Sequence, residues 1–76
     1  MRHVWWHDTV TGQFYAVATD DAGRIVSGWM QVDTHRWVPL DRFTPLKRAH
    51  RRGEIHVNDA DGGWTDELGP SLGPTQ

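Results

Sequence analysis

The chain has 76 residues, a formal net charge of −2 at pH 7 and five tryptophans but no cysteine. This length suffices for one domain with one small core, and the lack of cysteine excludes disulfide bonds and thiolate metal sites. The balanced charge excludes attachment of the whole molecule to nucleic acid or to an anionic membrane by electrostatics alone.

Apolar runs separated by turn residues predict an antiparallel meander in the first forty residues. The four predicted strands cover residues 3–7, 13–19, 24–32 and 35–40. Gly12 is suited to the positive φ that the first hairpin turn requires. Pro39 cannot donate a ladder hydrogen bond, so the fourth strand is expected to lie at a sheet edge or to end there.

A short helix is predicted over residues 45–52, followed by a fifth strand over residues 54–58. Thr44 is the expected N-cap, and Pro45 then occupies the first helical position, where its missing N–H does no harm. Gly53 is expected to end the helix.

This order of elements predicts a mainly β fold with four or five strands, one short helix and a flexible C-terminal tail. The architecture is expected to be either a small antiparallel meander or an SH3-like barrel. Residues 1–67 are expected to form the single domain. Residues 68–76, which are rich in Gly, Pro and Ser, are expected to be disordered.

Side-chain alternation divides the predicted strands into an apolar face and an aromatic face. The apolar set is expected to be the core, with Gly28 leaving room for a facing ring; it contains Val4, Trp6, Phe14, Ala16, Ala18, Val26, Met30, Val32, Val38 and Leu40. The aromatic set contains Trp5, Tyr15, Val17, Ile25, Trp29 and Trp37, interleaved with His3, His7, Gln13, Ser27, Gln31 and His35. Two alternatives stay open for this second face: exposure to a partner, or coverage by the chain's own helix and Trp64.

Aromatic rings among short polar groups are typical of binding surfaces. The leading hypothesis is therefore a non-enzymatic protein-interaction domain, an accessory or inhibitor protein that binds a partner through Trp5, Tyr15, Trp29 and Trp37. A homodimer that buries the same face is the alternative partner. Seven arginines against one lysine indicate a GC-rich genome, that of a bacterium or its phage.

A second hypothesis is nucleic-acid binding by a small β-barrel through the basic segment 47–52. Its four candidate contacts are Lys47, Arg48, Arg51 and Arg52. On one short helix these side chains can contact phosphates while tryptophan rings stack on bases.

Residues with the pattern of a catalytic or metal site are lacking in this sequence. His3 and His7 stand about 13 Å apart along a strand, too far to chelate one ion. Neither Ser27 nor Ser71 lies in a nucleophile turn. No catalytic residue, metal or cofactor is therefore expected, and the chain is predicted not to be an enzyme.

The apolar runs of the chain are short. The N-terminal residues lack the apolar core of a signal peptide, and no stretch approaches the ~20 apolar residues of a transmembrane helix. The chain is therefore expected to be cytoplasmic, with no membrane partner.

The order of several aromatic motifs resembles that of the MbtH-like family, small proteins that bind adenylation domains of nonribosomal peptide synthetases. The motifs are Gly12-Gln13-Phe14-Tyr15, Ser27-Gly28-Trp29, Trp37, Trp64-Thr65-Asp66 and Ser71-Leu72. The resemblance implies a cleft between Trp29 and Trp37 for a partner side chain. The chain departs from the family in lacking a proline after Trp29 and in the spacing of its tryptophans.

Overall fold

The computed structural model describes residues 1–34 and 36–59, together with Trp64 and Pro70. Its elements in chain order are β1 (Arg2–Asp8), β2 (Phe14–Thr19), β3 (Ile25–Asp33), β4 (Arg36–Pro39), α1 (Thr44–Arg51) and β5 (Ile55–Asp59). The strands form one open antiparallel sheet in the order β4-β3-β2-β1-β5. The predicted mainly β fold with one short helix is confirmed, and the first four strands form the predicted meander.

The turn between β1 and β2 follows from its local chemistry. Gly12 adopts φ 81°, as predicted, and its N–H donates to the Asp8 carbonyl at 2.8 Å. The Asp8 carboxylate oxygen Oδ1 accepts two further N–H groups, from Val10 at 2.8 Å and from Thr11 at 3.0 Å. An aspartate carboxylate that accepts hydrogen bonds from the N–H groups two and three residues later stabilises a turn through local contacts.

Helix α1 begins one residue earlier than the sequence predicts. Phe43 is the N-cap residue and makes no side-chain capping bond, so the prediction of Thr44 as the N-cap is wrong and Thr44 is helical. The helix is anchored on the sheet by the buried Leu46. Gly53 follows it with φ 76°, the left-handed conformation that commonly ends a helix.

Both faces of the sheet carry a buried cluster, so the second face follows the alternative in which the chain covers it. The face beneath α1, called the helix face, buries Val4, Trp6, Val17 and Leu46. The other, called the tryptophan face, buries Trp5, Ala16, Ala18, Trp37 and Trp64.

The predicted assignment of β2 to these faces is wrong. In the β1–β2 register, odd-numbered residues of one strand lie opposite even-numbered residues of the other: Trp5 faces Ala16 and Trp6 faces Tyr15. The set Phe14, Ala16 and Ala18 therefore shares a face with Trp5, whereas Tyr15 and Val17 share the helix face with Trp6. A shift of one residue in register moves every side chain of a strand to the other face.

Three predictions for β3 also need correction. The register of β3 against β2 shifts between Ala18 and Thr19. Beyond this irregularity Ile25 packs against the helix-face cluster and not on the aromatic side. Val26 and Val32, predicted in the core, are each 44% exposed.

Gly28 lies under the loop that leads into α1, on the helix face opposite Val17. A Cβ atom at this position would lie 3.1 Å from Leu40 Cδ1 and 3.2 Å from Phe43 Cε1. The Phe43 ring therefore occupies the space that the missing side chain leaves, as the sequence predicted for a facing ring.

Substitution Gly28→Val is expected to reduce the free energy of unfolding by about 1–3 kcal/mol, because the added methyl groups overpack this contact. Urea unfolding measures the loss. Gly28→Ala is the matched control and should be less destabilising, since it adds a single carbon that a small shift of Leu40 and Phe43 can accommodate. Wild-type stability in the valine variant would contradict the packing described for Gly28.

Several predictions fall wholly or partly on residues that the structure does not describe. These include the tail at residues 68–76, apart from Pro70, and the side chain of His35. The extension of the domain to residue 67 stays a prediction for the same reason. Within the described part of the chain, no helix has the length and apolar character needed to cross a membrane.

Candidate functional site

Three tryptophan rings of the tryptophan face, those of Trp5, Trp37 and Trp64, are buried by packing within the chain itself. The ring centroid of Trp5 lies 5.6 Å from that of Trp37 and 6.5 Å from that of Trp64, both in tilted arrangements. Trp64 also meets the His3 ring edge-on at 4.6 Å. The exposed fractions of Trp5, Trp37 and Trp64 are 7%, 9% and 3%. Of the two alternatives, coverage by Trp64 is what the structure shows for these rings.

The four residues predicted to bind a partner do not form one surface. Tyr15 lies on the helix face, opposite Trp6, so it cannot join the other three in a single contact. Trp5 and Trp37 are buried, whereas Trp29 is partly exposed and packs against the edge of the cluster. Trp29 is therefore the one predicted aromatic contact on this face whose ring a partner reaches without displacing Trp64.

Trp29 lies in a patch of accessible apolar side chains. With Met1, Val26 and Ser27 it lines a shallow depression of about 300 Å³. Met1 is 66% exposed and Val26 is 44% exposed. We call these four residues the Trp29 patch. Met1 and Val26 were not among the predicted site residues. Strict alternation assigns Val26 to the core, because the sequence does not show the shift of register beside it.

Two donors inside the tryptophan cluster are unpaired. The indole Nε1 atoms of Trp37 and Trp64 are buried, and neither donates a hydrogen bond. Leaving a buried donor unsatisfied costs about 1–3 kcal/mol. The contacts described for Trp64 are thus ring contacts with Trp5 and His3, without a hydrogen bond from its indole nitrogen.

A second concave region lies on the helix face between α1 and the sheet. It has a volume of about 200 Å³ and is lined by Asp8, Tyr15, Met30, Leu40, Arg42, Pro45, Leu46 and Ala49. The walls are mainly apolar, with the Asp8 carboxylate and the Arg42 guanidinium as its charged groups. Burial, and secondarily the charge of Asp8, raises the pKa of Tyr15, which keeps its phenol neutral.

The Asp8 carboxylate at this cleft is held in its ionised form by the turn. The backbone N–H of Thr11 is the largest cause that lowers the pKa of Asp8, and the N–H of Val10 adds to it. Since a lowered pKa favours the charged form, the hydrogen bonds to Asp8 stabilise the fold most when the group is ionised.

Acid should therefore weaken the fold through Asp8. The stabilisation is fully present above the unfolded-chain pKa of about 3.9 and is lost as the pH falls through the lower pKa of the folded state. Asp8→Asn keeps an oxygen acceptor and should lose this part of the acid dependence. Asp8→Ala should destabilise the fold by about 1–3 kcal/mol at neutral pH, because two N–H groups lose their acceptor. Urea unfolding at neutral and acid pH measures both effects, and equal pH dependence in wild type and Asp8→Asn would contradict the assignment.

The predicted basic residues form an exposed surface on α1 and its C-cap residue, Arg52. The side chains concerned are Lys47, Arg48, Arg51 and Arg52, all exposed. None has an ion-pair partner within the described ranges, and residues 41–54 contain five basic and two acidic side chains. His50, in contrast, stacks on Trp6 with a centroid distance of 4.8 Å. We call the four side chains the basic helix surface.

The described histidines of the sheet pack beside aromatic rings or beside one another. His7 stacks on Phe14 at 4.2 Å, and the register of β1 with β5 places His56 directly opposite His7. Sequence spacing did not predict this pair, because the two residues come from distant strands. No group of three His, Asp or Glu side chains with the geometry of a metal site occurs within the described residues.

Comparison of the chain with protein-family models, with curated proteins and with solved structures found no match. The resemblance of the aromatic motifs to the MbtH-like family therefore stays a prediction. In the structure, the two residues of the implied cleft differ in environment: Trp37 is buried and Trp29 is partly exposed. Evidence about function comes from the geometry of the chain itself.

Proposed function

We propose that this chain is a non-enzymatic protein-interaction domain that binds a partner on its tryptophan face, with Trp29 as the central anchor. The observation that carries the proposal is the partial exposure of Trp29 beside the exposed Met1 and Val26, on a face where the other tryptophans are buried. Tryptophan is enriched among the residues that dominate binding energy, because its large ring loses little conformational freedom on contact.

The buried cluster supports this anchor. Trp29 packs against the cluster that contains Trp5, Trp37 and the fully buried Ala16, and Ala16 lies directly opposite Trp29 across the β2–β3 ladder. Because this buried cluster holds one side of the Trp29 ring in place, the ring is pre-organised for binding, which lowers the entropic cost of forming the complex. In this proposal Trp5 and Trp37 contribute by holding Trp29 in place.

We further propose the biological setting that the composition favours. The chain acts in the cytoplasm as an accessory or inhibitor protein. We assign it to a bacterium or phage because its basic residues are almost all arginine, which indicates a GC-rich genome. The helix between the fourth and fifth strands is the arrangement expected of an SH3-like protein, and small β domains of this kind serve many functions by binding.

Photo-crosslinking identifies the partner and tests the site. A photoreactive residue at position 26, within the Trp29 patch, is compared in a bacterial lysate with the same residue at position 10. Val10 is a suitable control because it is 71% exposed and lies in the β1–β2 turn, outside the patch. The proposal expects a crosslinked protein at position 26 that is absent at position 10.

The affinity of the identified partner then gives the quantitative test. Trp29→Ala should weaken binding about 30-fold or more, since a central aromatic anchor contributes about 2 kcal/mol. Val10→Ala should leave the affinity unchanged. Affinity within twofold of wild type in the folded Trp29→Ala variant would refute Trp29 as the anchor.

Nucleic-acid binding is the second candidate function, and the exposed basic helix surface favours it. The four cationic side chains of the basic helix surface, which have no ion-pair partner among the described residues, can neutralise about four phosphates. This predicts that log K falls with log salt with a slope of about −3 to −4 on duplex DNA. Fluorescence anisotropy across a salt series measures this slope. Arg48→Ala with Arg51→Ala should flatten it, and Trp29→Ala should not; a slope near zero would remove this candidate.

A further inference from the structure

The two edges of the sheet differ in whether they can accept another strand. On the β4 edge, the N–H of Leu40 donates to the carbonyl of Gly28 at 2.9 Å. Because backbone groups alternate in direction along a strand, Pro39 has its nitrogen on the outer side, away from β3. Proline there removes a donor from the free edge without breaking the existing ladder, a common protection against strand addition.

Among the residues that the structure describes, none protects the β5 edge in this way. The carbonyl of Glu54 accepts a hydrogen bond from the N–H of Thr9 at 2.8 Å. By alternation, the backbone N–H and carbonyl groups of His56, opposite His7, also point toward β1. The intervening residues Ile55, Val57 and Asp59 therefore direct theirs outward. The strand contains neither proline nor lysine, and Val57 leaves 39% of its surface exposed.

We propose that this edge pairs with β5 of a second copy of the chain, antiparallel about a two-fold axis at Val57. The three outward residues lie symmetrically about Val57, so each finds an outward residue opposite it: Ile55 faces the second copy's Asp59, and Val57 faces its own equivalent. In a pair of outward residues that face each other, each N–H donates to the carbonyl of the opposite residue. A two-fold dimer uses the same strand on both copies, so its outward residues must lie symmetrically about the axis, as they do about Val57.

The side chains favour self-pairing as well. On the helix face the two copies of Val57 become a cross-strand pair of β-branched residues, a favourable combination that shields their exposed surface. On the tryptophan face His56 lies opposite Asn58 of the second copy, which places no like charges in direct opposition. The dimer then contains one continuous sheet, to which each copy contributes its five strands.

This dimer has consequences for both proposed surfaces. Rotation about an axis perpendicular to the sheet keeps the two α1 helices on the same face, so the two basic helix surfaces lie on one side of the dimer. The Trp29 patches stay accessible, because β3 is separated from β5 by β2 and β1. The dimer is therefore compatible with partner binding and differs from one that buries the tryptophan face.

Cysteine crosslinking tests the register, because the chain contains no cysteine of its own. In the proposed pair the two Cα atoms of residue 57 lie about 5.5 Å apart, within the range that a disulfide spans. Val57→Cys should therefore form a disulfide dimer at least tenfold faster than Val10→Cys, which reports random collision. His56→Cys should react no faster than Val10→Cys, since its Cα atoms would lie about 8 Å apart.

Sedimentation equilibrium of the unmodified chain measures the assembly itself. The proposal expects a dimer that Val57→Lys converts to a monomer, because two lysines would stand in direct opposition. Val10→Lys is the matched control and should remain dimeric. A monomer at millimolar concentration would overturn the proposal, as would a dimer that tolerates Val57→Lys and crosslinks no faster at residue 57 than at residue 10.

Discussion

Trp37→Ala is expected to lower the free energy of unfolding by about 3–5 kcal/mol, the usual cost of removing a buried tryptophan side chain. Trp37 is 9% exposed and its ring lies against that of Trp5. For a domain of this size the whole stability is about 4–11 kcal/mol, so the variant loses a large share of it. Urea unfolding followed by circular dichroism measures the change.

Trp29→Ala is the matched comparison, because both rings belong to the tryptophan face but only Trp29 is partly exposed. We expect a smaller loss of stability from Trp29→Ala, with the fold retained. The sequence-based hypothesis treats Trp37 as a partner contact, whereas its burial favours a role in the core. If Trp37→Ala kept wild-type stability and lost partner binding, Trp37 would be a contact residue after all.

Trp64→Ala is expected to open the tryptophan face and to cost about 3 kcal/mol of stability. Trp64 is 3% exposed and contacts the rings of Trp5 and His3. Its removal should make the fluorescence of Trp5 and Trp37 accessible to acrylamide. Fluorescence quenching and urea unfolding of the same variant measure the two effects together.

Trp64→Phe separates ring packing from the buried indole N–H. Phenylalanine keeps an aromatic ring in the cluster but removes the Nε1 donor, which has no acceptor among the described residues. Because an unsatisfied buried donor is destabilising, this variant should stay within about 1 kcal/mol of wild type. Equal losses in Trp64→Phe and Trp64→Ala would contradict this expectation, because a smaller aromatic ring would then be unable to replace the packing of the full indole.

The local elements of this fold were predictable because they depend on short-range chemistry. Gly12 in the left-handed region and Gly53 after α1 both follow from the conformations that glycine alone adopts easily. The strands lie within a residue or so of their predicted limits. The helix start is the exception, because Phe43 and not Thr44 is the N-cap residue. The ring of Phe43 packs against Gly28, a contact that local sequence does not predict.

The site was harder to predict because it depends on register and on distant contacts. Alternation within β2 separates Tyr15 from Ala16, but only the pairing of β2 with β1 decides which of them joins Trp5. No local pattern shows that Trp64 packs across Trp5, since the two residues are far apart in sequence. The exposure of Val26 likewise depends on an irregular register in a ladder with another strand.

The tryptophan face leaves Trp29 partly exposed and buries its other tryptophans. Of the five tryptophans, four are buried: Trp5, Trp6, Trp37 and Trp64. Acrylamide quenching of wild type and Trp29→Phe tests this most directly, because the substitution removes one indole and keeps an aromatic ring in place. We expect the readily quenched fluorescence of the wild type to disappear in Trp29→Phe. A readily quenched component that persists in this variant would contradict it, since another tryptophan would then be exposed.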